Sequence, residues 1–222
     1  MITHALLDLD GTLTDPALGI TSCIAYALAR LNVVVPPASE LHFAIGPPLR
    51  GTFATLVGTD DAIIIEQAMV FYRERFADVG LFENDVYEGV PEMLATLKAR
   101  NIALLLATAK PHVYARRILS HFDILAPFDA IYGSELDGLR QHKGDLLAYL
   151  IDQEGIDPQN TVMIGDRHHD IDAARANGCH SIGVTYGYGN AAELAHADRL
   201  CGSPALIAET VFSLSAALDS GL

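Results

Sequence analysis

Lysine is scarce in this 222-residue chain, with only Lys98, Lys110 and Lys143. The formal net charge is −14 and the pI is near 4.8, so no basic surface is available to neutralise a polyanion. Nucleic acid and anionic membranes are not expected as partners. An anionic ligand would need local positive charge, which makes any lysine near a candidate site informative. Cysteine is also sparse: Cys23, Cys179 and Cys201 are widely spaced, odd in number and show neither CxxC nor a metal-ligand spacing. A disulfide framework is therefore not expected, and a reducing cytoplasm is the expected compartment. Long apolar runs are absent too, which argues against a membrane span. The opening MITHALLDLDGTL has a short apolar run cut by aspartates and no basic leader, so a signal peptide is not expected there.

What the chain does have is 50% hydrophobic residues, enough for a sizeable core in one large domain or a main domain plus a small one. His4 to Leu9 read as a buried strand that ends at Asp10-Gly11, a breaker pair. Helical periodicity follows from Leu18 to Leu31, near Ser39 to Val57 and from Asp61 to Val79, with an interruption at Gly46-Pro47-Pro48, where proline cannot continue a helix. No strand is predicted in this block. Beyond Pro91 the rhythm changes to an alternation of helices and strands. Helices are predicted at 91–100, 111–121, 143–153 and 170–177, and strands at 102–107, 130–132, 161–164 and 180–184. Such alternation predicts an α/β fold with a Rossmann-like, doubly wound parallel sheet. Ligands of these sheets bind at the carboxyl ends of the strands, where Asp8, Thr108 and Asp166 all fall. The expected organisation is a core domain of residues 1–14 and 86–222 with an all-helical cap domain, 15–85, inserted after the first strand.

The string Asp8-Leu9-Asp10-Gly11-Thr12-Leu13-Thr14-Asp15 places two carboxylates at a strand end, with a glycine that lets backbone approach an anion. One carboxylate can attack while the other handles a proton. An aspartate pair before glycine is, taken singly, also ordinary turn chemistry. Thr108 in LLLATAKP ends a strand, and its hydroxyl with the following N–H groups, that of Ala109 first, could bind phosphate at a helix start. Lys143 sits at the start of a predicted helix, where a cation opposes the macrodipole, and Lys110 is a second lysine that could meet an anion near these segments. Gly165-Asp166-Arg167-His168-His169-Asp170 follows an apolar strand and supplies further hard oxygen ligands suited to magnesium. Adjacent histidines diverge, so zinc is disfavoured.

In this order the four segments resemble the motifs of the haloacid dehalogenase superfamily, and the resemblance spans essentially the whole chain. It implies a phosphoric monoester hydrolase in which Asp8 is the nucleophile and Asp10 protonates the leaving oxygen and then activates water. Thr108 and Lys143 would hold phosphoryl oxygens, together with Gly11 and Ala109. Mg2+ would be held by Asp8, the Asp10 carbonyl, Asp166 and Asp170. The presence of Asp10 disfavours dehalogenation. Residues 15–85 contain no lysine, which excludes the phosphonate-cleaving branch. Gly165 before Asp166, where phosphomutases usually carry glutamate, favours hydrolysis over transfer. GPPL at 46–49, YRERF at 72–76, GDRHHD and Tyr186-Gly187-Tyr188-Gly189 look like the 5′-nucleotidase-like branch, ahead of phosphoglycolate phosphatase proper. The implied partner is a small phosphorylated metabolite, and the chain is expected to be a monomer or homodimer. Arg50 is a candidate cap contact to the substrate, although a surface arginine is the commoner use of that position. Tyr72 and Phe71 are expected to be cap core. A receiver-like phosphoryl-binding module is the rival class, disfavoured because the DxD lies on the first strand.

Overall fold

A computed structural model describes residues 1–220 as two compact units, Pro16–Asp85 and the remainder of the chain. The larger unit is built on a six-stranded, all-parallel sheet. Its strands are β1 (His4–Leu7), β2 (Ala103–Pro111), β3 (Ala130–Ser134), β4 (Thr161–Gly165), β5 (His180–Val184) and β6 (Arg199–Cys201), in the spatial order β3-β2-β1-β4-β5-β6. Strand β1 lies between β2 and β4, with Leu7 in register with both Leu106 and Ile164. Such a strand has neighbours on both edges and helices on both faces, so beyond the half-buried His4 it must be apolar. Ala5, Leu6 and Leu7 are fully buried.

Helices α6 (Lys143–Glu154) and α7 (His168–Ala176) cover the face that carries Leu6, Leu105 and Met163, through Leu147, Leu150, Ala173 and Ala174. Helices α4 (Val90–Ala99) and α8 (Pro204–Ser220) pack against each other, and α5 (His112–His121) packs on β2 and β3. The chain winds from β1 to β2 and β3 on one side and then crosses to β4, β5 and β6 on the other. The point of reversal is the carboxyl end of β1, the usual ligand crevice of an open parallel sheet.

The smaller unit holds α1 (Ala17–Arg30), a 3-10 segment (Ala38–Ala44), α2 (Leu49–Val57), α3 (Ala62–Arg75) and a π-helical turn (Phe76–Gly80). Its α3 starts where the Asp61 side chain accepts the Ile63 N–H, and α2 stops at Gly58 in the left-handed conformation. Tyr72 is buried between Phe53 (edge-on, 6.1 Å) and Phe76 (stacked, 5.0 Å), while Phe71 lies under the Arg30 guanidinium at 4.4 Å.

Several boundaries differ from the sequence expectation. Strand β2 continues to Pro111 instead of ending at Ala107, with irregular pairing between Thr108 and Pro111. The stretch before Gly46 is a 3-10 helix, too short after Pro36-Pro37 to propagate as α. Two-residue strands at Thr14–Asp15 and Asp85–Val86 mark the edges of a block expected to contain none. Strand β6 and helix α8 were not anticipated. No described helix is long and apolar enough to cross a membrane.

All three cysteines are buried and none forms a disulfide. Burial, with the Asp157 charge adding to it, pushes the Cys179 thiol up to about 11. At pH 8 the reactive thiolate is then roughly a thousandth of the total. Cys179 is expected to react with an aromatic disulfide reagent far more slowly in the native protein than after denaturation, as read by mass-mapped labelling. Equal rates in the two states would contradict the burial.

Candidate active site

Strand β1 delivers Asp8 to the crevice with its amide donating to the Ile164 carbonyl at 3.0 Å, which ties the first residue past β1 to β4. The Asp8 side chain is buried. Its Oδ1 accepts from the Leu9 N–H at 2.8 Å and lies 2.9 Å from the Lys143 ammonium. Both contacts fall on one oxygen, so Oδ2 carries neither.

Lys143 is the first residue of α6 and is only 6% exposed. A cation there opposes both desolvation and the positive end of the helix. Its surroundings compensate, with Asp170 Oδ1 at 2.6 Å, Asp8 Oδ1 at 2.9 Å and the Ala107 carbonyl accepting at 3.1 Å. Burial alone would lower the ammonium pKa; Asp170 and Asp8 outweigh it and raise the pKa.

The competing lysine has a different partner. Lys110 Nζ lies 2.9 Å from Asp10 Oδ1, and both side chains are buried. Burial pushes the Asp10 carboxyl up despite this ammonium. Thr108 is buried, and its Oγ1 accepts the Lys110 N–H at 3.2 Å. The expectation that Thr108 opens a helix is corrected. The chain runs on as strand to Pro111, which has no N–H, and α5 begins only at His112.

Asp166 follows β4 and is fully buried. Its Oδ2 accepts the Tyr188 N–H at 2.7 Å, while its Oδ1 has no hydrogen-bond partner. Burial, helped by Asp170 and Asp8, pushes this carboxyl up to about 8. Asp170 is not the helix cap, because α7 starts two residues earlier at His168. Its Oδ2 instead accepts the Arg167 N–H at 3.1 Å from the third helical position. Burial raises Asp170 to about 6, with Lys143 opposing.

Ligand oxygens of Asp8, Asp166 and Asp170 all lie within 4.8 Å of one another. Four buried carboxylates thus crowd around two ammonium groups, and burial pushes Asp10, Asp166 and Asp170 toward their protonated forms. A buried carboxylate oxygen without a donor is costly, and a divalent cation among these oxygens would remove that cost. The all-oxygen donor set fits a hard cation such as magnesium. Gly11 adopts φ +83°, and a Cβ there would meet Asp166 Oδ2 at 2.3 Å, so only glycine lets the first loop close on this carboxylate. The Asp10 carboxylate is paired with Lys110 and is not part of the cluster; the ligand expected from Asp10 is its backbone carbonyl.

The family model described as haloacid dehalogenase-like hydrolase matches residues 5–184, from β1 through β5. The chain is a haloacid dehalogenase-like hydrolase. It is 50% identical to a 5′-nucleotidase from Pseudomonas aeruginosa over 191 residues, covering 86% of each chain. It is 39% identical over 186 residues to the tyrosine-protein kinase PtkA of Mycobacterium tuberculosis, covering 84% of this chain and 63% of that longer protein. The crystal structure of a predicted phosphatase from Clostridium acetobutylicum superposes with a TM-score of 0.91 at 38% identity, covering 96% of this chain and all of the other.

Within this haloacid dehalogenase-like hydrolase, Asp8, Asp10, Gly11, Thr108, Ala109, Lys143, Asp166 and Asp170 all belong to the larger unit. Arg50 belongs to the helical unit, where its guanidinium is paired with Glu66. His168 and His169 bind no metal cluster among the described residues. His168 Nδ1 lies 3.0 Å from Glu193, and burial lowers His169 to about 4. The Tyr188 amide on Asp166 had no side-chain signal in the sequence, and Lys110 was a candidate whose partner, Asp10, only the structure supplies.

Proposed function

We propose that this hydrolase is a phosphatase that removes the phosphoryl group of a small phosphomonoester through a covalent intermediate on Asp8. The observation that carries the reading is the buried set of Asp8, Asp166 and Asp170 with the partnerless Asp166 Oδ1. Mg2+ would be held there by these three carboxylates, with the Asp10 carbonyl as a further ligand. When bound, it would cancel the charge between carboxylate and phosphate and orient the ester for in-line attack.

The chain's own groups divide the remaining work. Lys143 and the Leu9 N–H fix Asp8 through Oδ1 and leave Oδ2 to attack phosphorus. As the Oδ2–P bond forms and the ester P–O bond breaks, the Asp10 carboxyl gives its proton to the leaving oxygen. Burial favours the protonated form this step requires, and Lys110 holds the carboxylate it leaves behind. In the second step Asp10 takes a proton from water as the water oxygen attacks phosphorus. The P–Oδ2 bond breaks, and inorganic phosphate and free Asp8 result. Thr108, Gly11, Ala109 and Lys143 would hold the non-bridging oxygens.

The helical unit, Pro16–Asp85, would act as the cap that selects the ester, with Arg50 as a candidate cation. The 50% relative supports nucleoside monophosphates as the substrate class. Phosphate release from p-nitrophenyl phosphate should require Mg2+ and stop on chelation, and turnover undiminished by a chelator would overturn the metal assignment. In a panel of nucleoside monophosphates, phosphoglycolate, sugar phosphates and phosphotyrosine, a nucleoside monophosphate should give the highest kcat/KM. A different leader would reassign the substrate.

A further inference from the structure

The segment Tyr186-Gly187-Tyr188-Gly189 follows β5 and has no part in the chemistry described above, yet it touches both loops that build the site. The Tyr188 amide donates to Asp166 Oδ2 at 2.7 Å. The Tyr188 phenol donates to the Asp15 carboxylate, at the far end of the DxDGTLTD loop. The Tyr186 phenol donates to the Thr12 carbonyl at 2.8 Å, in the middle of that loop, and its ring packs edge-on against Tyr87 at 5.1 Å.

The two glycines explain why such anchoring is needed. A Cβ on Gly187 would lie 2.4 Å from the Asp166 Cβ, and one on Gly189 would lie 1.8 Å from the Asp166 carbonyl oxygen. Backbone can approach Asp166 this closely only without side chains. Glycine, however, loses more conformational entropy on ordering than any other residue. A glycine-flanked amide is a poor fixed donor unless something else holds it. The two phenols can supply that restraint, because each ties the segment to the loop that carries Asp8 and Asp10.

We propose that Tyr186 and Tyr188 are positioning residues for the metal ligand Asp166. The phenols hold the segment so that the Tyr188 N–H occupies Oδ2 and leaves Oδ1 turned toward the cation. The proposal rests on the metal reading given under the proposed function. It adds that affinity for the cation is set by side chains that do not touch it, and that Asp15, the last residue before the helical unit, shares in setting it. Loss of a group that orients a ligand commonly weakens metal binding by about 10-fold or more.

The test is calorimetric titration of Mg2+ into chelator-treated parent, Tyr188→Phe, Asp15→Ala and the double variant, with Tyr149→Phe on α6 as control. Tyr188→Phe keeps the amide and removes the phenol's bond to Asp15. It should raise the Kd for Mg2+ about 10-fold. Asp15→Ala removes the other end of the same bond, so it should match, and the double variant should be no worse than either single change. The Mg2+ concentration giving half-maximal turnover should rise by the same factor, whereas Tyr149→Phe should leave the Kd unchanged. A Kd within about twofold of the parent in Tyr188→Phe, or in Asp15→Ala if the first variant fails to fold, overturns the proposal. Absence of Mg2+ binding by the parent protein would instead overturn the metal reading itself.

Discussion

Asparagine in place of Asp8 is expected to stop turnover, lowering kcat by about 10⁴-fold or more, as loss of a covalent nucleophile does in other enzymes. An amide of nearly the same shape fills the space but cannot attack phosphorus. Stability should move the other way. Asp8 is one of four buried carboxylates crowded around Lys110 and Lys143, so neutralising it relieves repulsion at Asp166 and Asp170 while Lys143 keeps Asp170 at 2.6 Å. The metal-free Asp8→Asn protein should therefore melt no lower than the parent. Rapid-quench assay for phosphoryl-enzyme and a thermal melt check both halves. Near-normal turnover would remove Asp8 from the mechanism, and a large drop in melting temperature would contradict the charge balance.

Lys143→Met should have the second largest effect, on both quantities at once. Among the described residues the Lys143 ammonium is the cation placed against both Asp8 and Asp170, and all three groups are buried. Breaking a buried ion pair from one side costs about 3 kcal/mol or more. For a chain of this size that corresponds to roughly 6–12 °C in melting temperature. If Mg2+ binds the folded site as proposed, it should restore part of the loss, which distinguishes unpaired charge from a packing defect. Turnover should fall about 10²- to 10³-fold, since the charge opposite the phosphoryl group is lost. A metal-free melt unchanged from the parent would show that Lys143 does not balance these carboxylates.

The parts of the fold that were legible in sequence are those where one physical demand dominates. A strand buried on both faces must be a short apolar run, so His4–Leu7, Thr161–Gly165 and His180–Val184 stand out at once. Arg199–Cys201 gave no such signal, because two of its three residues are exposed at the sheet edge. Candidate site residues could be named from sequence where side-chain type carries the chemistry, as with Asp8, Asp166 and Asp170, which the structure brings together. Choosing between Lys110 and Lys143 was not possible from composition, because both are lysines beside motif residues. Their separate partners, Asp10 and Asp8, follow from where β2 and the start of α6 place them. The Tyr188 amide was invisible for a simpler reason: every residue but proline has one, and only the approach permitted by Gly187 and Gly189 makes this one matter.

The place of β1 in the middle of the sheet also sets a timetable. Its neighbours β2 and β4 begin at Ala103 and Thr161, so the segment carrying the proposed nucleophile is synthesised long before either strand that must flank it. Until Thr161–Gly165 leaves the ribosome, His4–Leu7 has at least one unpaired apolar edge, the kind of surface that recruits other chains. Long-range parallel pairing of this sort is slow to form. A nascent chain therefore holds Asp8 throughout its synthesis but can assemble nothing around it until Asp166 and Asp170 have been made. On the proposed mechanism hydrolytic competence arrives late, so a product truncated before Asp166 and Asp170 should be inert rather than partly active.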